Sequence, residues 1–207
     1  DAPADRAVTV ARVQAHDGVV SAALRTGRTP LPVRFGQRFA DSAALVGTIE
    51  GMVAPIQEAL GRVAGLVEMS VVIAPEHARL QPVRSPEHVN ASEPGAGHRY
   101  LTALRRRAAE AGQVDAELQA AADRLRVAVV GISISEGRDA PRHDPPSLAV
   151  AHLISREAIE TFRSAAGPLD RSEGWRYLIT GPQAPYSFSS VVVPDAPEAR
   201  FWRADPE

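Results

Sequence analysis

Asp41 to Ala74 reads DSAALVGTIEGMVAPIQEALGRVAGLVEMSVVIA, and its change of rhythm decides the fold class. Asp41 is a good helix N-cap, and Leu45, Ile49, Met52, Val53, Ile56, Leu60 and Val63 then recur at helical spacing. Pro55 falls inside that pattern, where it removes a backbone donor and crowds the preceding turn, so a kink or short break is expected there. Leu66 to Ala74 (LVEMSVVIA) is a β-branched run of strand length, apolar enough toward its end to be buried on both faces. A helix followed directly by a buried strand points to a mixed α+β chain.

Upstream, Asp5 to Arg25 favours a helix, with Val8, Val13, Val19, Val20 and Leu24 set among alanines and Gly27 as its stop. Thr29 to Phe39 alternates Leu31, Val33 and Phe35 with polar residues or proline and predicts a short strand turned by Gly36; Pro30 and Pro32 assign it to a sheet edge.

Downstream, residues 75–97 carry Pro75, Pro82, Pro86 and Pro94 with Gly95 and Gly97, the composition of a linker. Tyr100 to Val130 keeps a three-four apolar rhythm and predicts a long helix, with Gly112 and Asp115 marking a break into a helical hairpin. Val127 to Ser135 begins inside the helical stretch and is expected to end as a strand, and Glu136 to Pro146 reads as a polar turn region. Ser147 to Ser155 is expected as a strand, Arg156 to Ala166 as a helix stopped by Gly167 and Pro168, and Trp175 to Thr180 as a last strand. The expected domains are an α+β half over 1–74, a Pro-rich linker over 75–97, and a second α+β half over 98–207 that contains the long helix and a C-terminal tail.

Composition removes whole classes of chemistry. The 23 basic residues are all arginine and there is no cysteine. No lysine can therefore hold a nucleotide phosphate or form a Schiff base, and no thiol can act as nucleophile, zinc ligand or disulfide partner. A net charge of −2 over 207 residues argues against a nucleic-acid partner. No apolar run approaches the roughly 18–20 residues that cross a bilayer, and the first residues lack a signal-peptide layout, so a soluble intracellular protein without a membrane partner is expected. The chain begins without Met, which suggests that residues upstream of it are missing.

Three stretches carry a family resemblance. LPVRFG at Leu31 to Gly36, preceded by a helix with Ala15 and His16 and followed by a helix and a strand opening with Glu68, resembles the N-terminal half of the gas vesicle GvpF/GvpL proteins. GPQAPYSF at Gly181 to Phe188 is similar to the family's C-terminal Gly-Pro and Pro-Tyr-Ser-Phe signature, and GHRYL at Gly97 to Leu101 is a further match. Met69 stands where the family usually has an aromatic, and Gln183-Ala184 where it tends to have an aromatic and a proline. The resemblance implies two ferredoxin-like α+β domains with helices on one face of antiparallel sheets, the first lacking its N-terminal strands here. It implies an accessory or minor structural protein of gas vesicle assembly, located at the vesicle or in the cytoplasm. Its partners would be the small shell-forming protein and other gas vesicle accessory proteins, and no catalytic residues, metal or cofactor are implied.

Four residues, Arg34, Phe35, Tyr186 and Phe188, are candidates for partner binding. Arg34 offers a planar fork suited to a carboxylate, or lies on the solvent side of an edge strand, since alternation sets it opposite to Val33 and Phe35. Tyr186 and Phe188 either form a docking surface, as aromatics are enriched at interface hot spots, or fold back over the core. Both readings stand.

The remaining polar groups have simpler roles. Arg105, Arg106 and Arg107, with Arg99 upstream, precede Glu110, Asp115, Glu117 and Asp123 and read as a solvated, ion-paired helix face. His77, His88 and His143 lie in expected loops without metal-ligand spacing, while His16 and His152 are expected as half-buried or buried residues with a hydrogen-bond partner. GISIS at Gly131 to Ser135 lacks the second glycine of a nucleophile elbow. Two competing function classes remain, a small-molecule-binding regulator with a ligand held between paired domains and a small hydrolase.

Overall fold

The computed structural model of the chain describes residues 9–33, 35–37, 39–76, 96–143, 145–171 and 174–189, and the structural findings concern those residues. They form two compact units: the described residues up to Glu68 together with Gln183 onward make unit 1, and Met69–Pro182 makes unit 2. This partition joins the tail to the N-terminal helices, whereas composition placed it with the second half. The boundary falls within two strands, and residues 77–95, which hold most of the Pro-rich stretch, lie outside the described residues.

Unit 1 is built from helices α1 (Val10–Arg25), α2 (Ser42–Glu50) and α3 (Val53–Val63). Thr9 caps α1, its hydroxyl accepting from the Arg12 amide at 3.3 Å, and Gly27 at φ +83° turns the chain after it. Asp41 caps α2 as the sequence predicts, with Ala44 N donating to Oδ1 at 2.8 Å. The expected break near Pro55 separates α2 from α3 at Gly51 and Met52. Pro55 thus sits in the first turn of α3, where a missing N–H costs nothing and its ring meets no completed helix behind it. Helices α1 and α2 bury little: α1 buries Leu24, and no residue of α2 is buried.

The strand expected over Thr29 to Phe39 does not form among the described residues. Pro30 and Pro32 withhold two ladder donors from a short segment, which leaves too few backbone bonds to hold a pair. The segment is tied instead by a side chain, Thr29 Oγ1 donating to Leu66 O at 3.0 Å.

Strand β1 (Leu66–Pro75) follows, and α4 (Ala96–Ala128) is one helix of 33 residues. The expected hairpin break at Gly112 and Asp115 is absent. A lone glycine costs a helix only about 1 kcal/mol, and Gln113 Nε2 donates to Glu117 Oε1 across the next turn at 3.1 Å.

Unit 2 then contributes β2 (Ser135–Arg138), β3 (Arg142–His143), β4 (Pro146–Ser155), α5 (Ile159–Ala166) and β5 (Trp175–Gln183). The strand expected over Val127 to Ser135 does not form, because α4 continues to Ala128 and a turn through Gly131 follows; β2 starts only at its last residue, and β2 and β3 otherwise lie in the stretch that sequence reads as a polar turn region. Each is made by pairing antiparallel with the apolar β4, with Glu136 opposite His152 and Arg138 opposite Val150, so the partner strand rather than local propensity creates them. The sheet order is β2-β4-β1-β5, which places β5 and its Pro182 at an edge and β1 in the interior.

The core of unit 2 is a helix-covered sheet. Met69, Val71 and Ile73 alternate on β1 and Leu148, Val150, His152 and Ile154 on β4, all buried. Leu118, Ala121 and Leu125 of α4 and Phe162 of α5 are buried with them, and the Tyr177 hydroxyl of β5 donates to Ala121 O at 3.2 Å, tying strand to helix. The arrangement is a mixed α/β fold with helices against an antiparallel sheet.

Candidate functional site

In unit 1, three segments far apart in sequence converge. Gly36, at φ +88°, turns the chain just after Phe35, whose ring lies edge-on to the His16 imidazole of α1, with centroids 5.6 Å apart and planes at 78°. Tyr186, in a short turn at Tyr186–Phe188, approaches the same imidazole at 6.5 Å and 46°. Phe35, Tyr186 and Phe188 are all half-buried. Two of the residues singled out by sequence, Phe35 and Tyr186, are thus brought together through His16, and Phe188 belongs to the same turn as Tyr186. Arg34 lies outside the described residues.

The tail is held by a residue that the sequence marked only as part of a family motif, not as a site residue. Glu68, 1% exposed, accepts from Gln183 Nε2 at 2.9 Å and Ser187 Oγ at 3.0 Å on Oε1, and from Ser187 N at 2.8 Å on Oε2. Ala184 is buried between those contacts, and Phe188 N donates to Pro185 O at 3.1 Å to close the turn. A carboxylate inside an otherwise apolar strand was the available signal, because a buried acid must find donors somewhere. Burial raises the Tyr186 phenol above its usual range, and the negative charges of Asp17 and Glu68 add to that.

His16 departs from expectation in one respect. It is half-buried, but its Nε2 is enclosed without a hydrogen-bond partner among the described residues, and its contacts are to aromatic rings.

In unit 2, His152 is fully buried, packs against Phe162 at 5.3 Å and has Nδ1 3.0 Å from Ser133 Oγ, so the expected partner is present. The Ser133 hydroxyl donates to Ser135 O at 3.0 Å. A hydroxyl has one proton, so the imidazole is the donor in its contact with Ser133. A serine with its proton committed to a carbonyl, facing an imidazole N–H, is not arranged as a nucleophile with its base. Beside it, Arg138 binds Asp123 Oδ1 at 2.8 Å, Gln119 Oε1 at 3.0 Å and Glu136, fixing edge strand β2 to α4. The hydrogen bond from Arg138 is the main cause that lowers the Asp123 carboxyl below its ordinary value.

The other charged groups behave as surface residues. Arg106 pairs with Glu110 at 3.5 Å on the exposed face of α4, and Arg105 is exposed. The side chains of Arg99, Arg107 and His143 lie outside the described residues, as do His77 and His88. Among the described residues no cluster of three His, Asp or Glu side chains is arranged to hold a metal ion, and no helix is long and apolar enough to cross a membrane.

Comparison with known proteins gives these features a context. Residues 2–190 match the family model of the gas vesicle synthesis protein GvpL/GvpF. Gas vesicle protein F of Haloferax mediterranei is 26% identical over 185 residues, covering 87% of this chain and 70% of the relative. Gas vesicle protein L of a Streptomyces species is 28% identical over 198 residues, covering 90% and 72%. Among solved structures, the crystal structure of the gas vesicle protein GvpF from Anabaena superposes with a TM-score of 0.64 at 18% identity, over 92% of this chain and 82% of that one. GvpF from Microcystis aeruginosa gives 0.64 at 17% identity, over 89% and 80%, so the fold is shared.

Proposed function

The chain belongs to the GvpL/GvpF family of gas vesicle synthesis proteins, and from that membership we propose that it is a non-enzymatic accessory or minor structural protein of vesicle assembly that binds the small shell-forming protein. The family match over residues 2–190 carries this reading. The site gives it a surface. Phe35, Tyr186 and Phe188 are half-buried rings on turns and a tail rather than in a core, and such rings offer large apolar area at small entropic cost when a partner covers the rest.

The vesicle is then where the protein acts, with the shell protein and other accessory proteins as its partners. Unit 2, with element order β-α-β-β-α-β when the two-residue β3 is set aside and sheet order β2-β4-β1-β5, supports reading it as one ferredoxin-like domain.

Binding is tested by titrating the purified chain with the shell protein. Saturable association weakened by Phe35→Ala supports the proposal, and absence of association at tens of micromolar sinks it. Deleting the gene from its cluster and viewing cells by electron microscopy tests the assembly role; normal vesicles would overturn it.

A further inference from the structure

The buried carboxylate of Glu68 uses both of its oxygens on one short piece of chain. Oε1 takes the Gln183 amide and the Ser187 hydroxyl, and Oε2 takes the Ser187 backbone N–H. These contacts bracket Ala184, Pro185 and Tyr186 from both ends. What lies between is a weak anchor on its own, since the buried side chains there are the small Ala184 and Pro185, which any neighbouring register of a Pro-containing tail could approximate. Hydrogen bonds to fixed positions, one of them a backbone amide, are what distinguish one register from the next.

We infer that Glu68 is a positioning residue for partner binding: it sets the register of the tail so that Tyr186 meets His16, whose ring also meets Phe35, with Phe188 in the same turn as Tyr186. Segments 119 positions apart in sequence are thereby tied together, as Glu68 and Ser187 are. The inference rests on the proposal that this surface receives the shell protein, but the clamp itself has a readout that does not depend on it.

The experiment uses the full chain and compares Glu68→Gln with wild type. Glutamine keeps the shape of the side chain and replaces one acceptor oxygen with an NH2 that opposes a donor. Amide hydrogen exchange at Ser187 and Phe188 is expected to accelerate at least tenfold, with exchange in α3 unchanged, and affinity of the folded protein for the shell protein to fall about tenfold. Ser187→Ala, a change at an exposed residue, is expected to move both quantities the same way by less, which keeps the test open if Glu68→Gln folds poorly. Unchanged exchange at Ser187 in both variants overturns the clamp. Accelerated exchange with unchanged shell affinity overturns its role in presentation. If wild type does not bind the shell protein at all, the functional proposal fails while the exchange result still decides the clamp.

Discussion

The imidazole of His152 and the hydroxyl of Ser133 meet at 3.0 Å at the point where the loop after α4 enters the edge strand β2. Ser133 Oγ also donates to Ser135 O, so the pair ties a core side chain of β4 to the first residue of its neighbour. The ring packs against Phe162, with centroids 5.3 Å apart, and its Nε2 has no partner among the described residues. A neutral ring suits this site and a charged one does not.

The consequence is an acid sensitivity with a defined window. Burial lowers the His152 pKa below its ordinary 6.5, opposed by the charge of Glu136 and helped by Arg138, while Asp123 lies farther off on α4 against Arg138. The unfolded chain therefore binds a proton more readily than the folded one. Stability is complete above about pH 6.5 and falls as pH drops from there toward the folded value. His152→Asn, which keeps a donor toward Ser133 but cannot titrate, is expected to flatten the melting temperature between pH 6.5 and 5. Parallel profiles for wild type and variant would refute it. Asp123, whose carboxyl is lowered, contributes its loss only at more acidic pH, as it protonates through its folded value.

The Arg138 fork predicts a contrast between two arginines. Arg138 has a side chain 23% exposed and binds Asp123, Gln119 and Glu136, whereas Arg62, 50% exposed, pairs with Glu58 one turn away on α3. Arg138→Ala is expected to destabilise by about 1–2 kcal/mol and Arg62→Ala by less than about 0.5 kcal/mol. Arg138→Lys should recover little, because one ammonium cannot replace three directed N–H groups. Urea denaturation of the three variants measures this, and equal losses for Arg138→Ala and Arg62→Ala would contradict it.

Two glycines test the continuity of α4 from opposite directions. Gly112 lies in the exposed middle of the helix, where an added Cβ meets nothing within 4 Å, so Gly112→Ala is expected to stabilise by about 0.5–1 kcal/mol. Gly131, at φ +77° in the turn that follows, also has open space, but an L side chain is strained in that conformation. Gly131→Ala is expected to cost about 1 kcal/mol. Had the chain broken into a hairpin at Gly112, the first substitution would destabilise instead, and calorimetric melting of both variants separates the cases.

What sequence made legible follows from how local each determinant is. The Asp41 cap, the break before α3 and strand β1 depend on contacts within a few residues, and they stand where the pattern puts them. β2, with the sequence SEGR, has no strand propensity of its own and exists because β4 offers it a register. The segment after Thr29 fails for the converse reason: its alternation was right for a strand, but its prolines leave a partner little to bond. At the candidate site, Phe35 and Tyr186 were visible as aromatics within the two motif stretches. That His16 would lie between them and Glu68 would hold the tail depends on approaches across more than a hundred residues, which no window of sequence contains.

The tail finally separates packing from presentation. Its buried residues are Ala184, Pro185 and Ser189, whereas Tyr186 and Phe188 keep part of their surface in solvent. If the aromatics chiefly covered a core, truncating them would unfold unit 1 much as a core deletion does, at about 3–5 kcal/mol for a buried aromatic. Half-buried rings on a turn held by Glu68 lose less, because the clamp and the small buried residues remain. Tyr186→Ala combined with Phe188→Ala is therefore expected to lower affinity for the shell protein by tenfold or more while the melting temperature falls by only a few degrees. Isothermal titration and thermal melting on the same preparation make the comparison. A collapse in stability with undiminished affinity of the folded fraction would assign both rings to the interior and leave the shell protein to bind elsewhere.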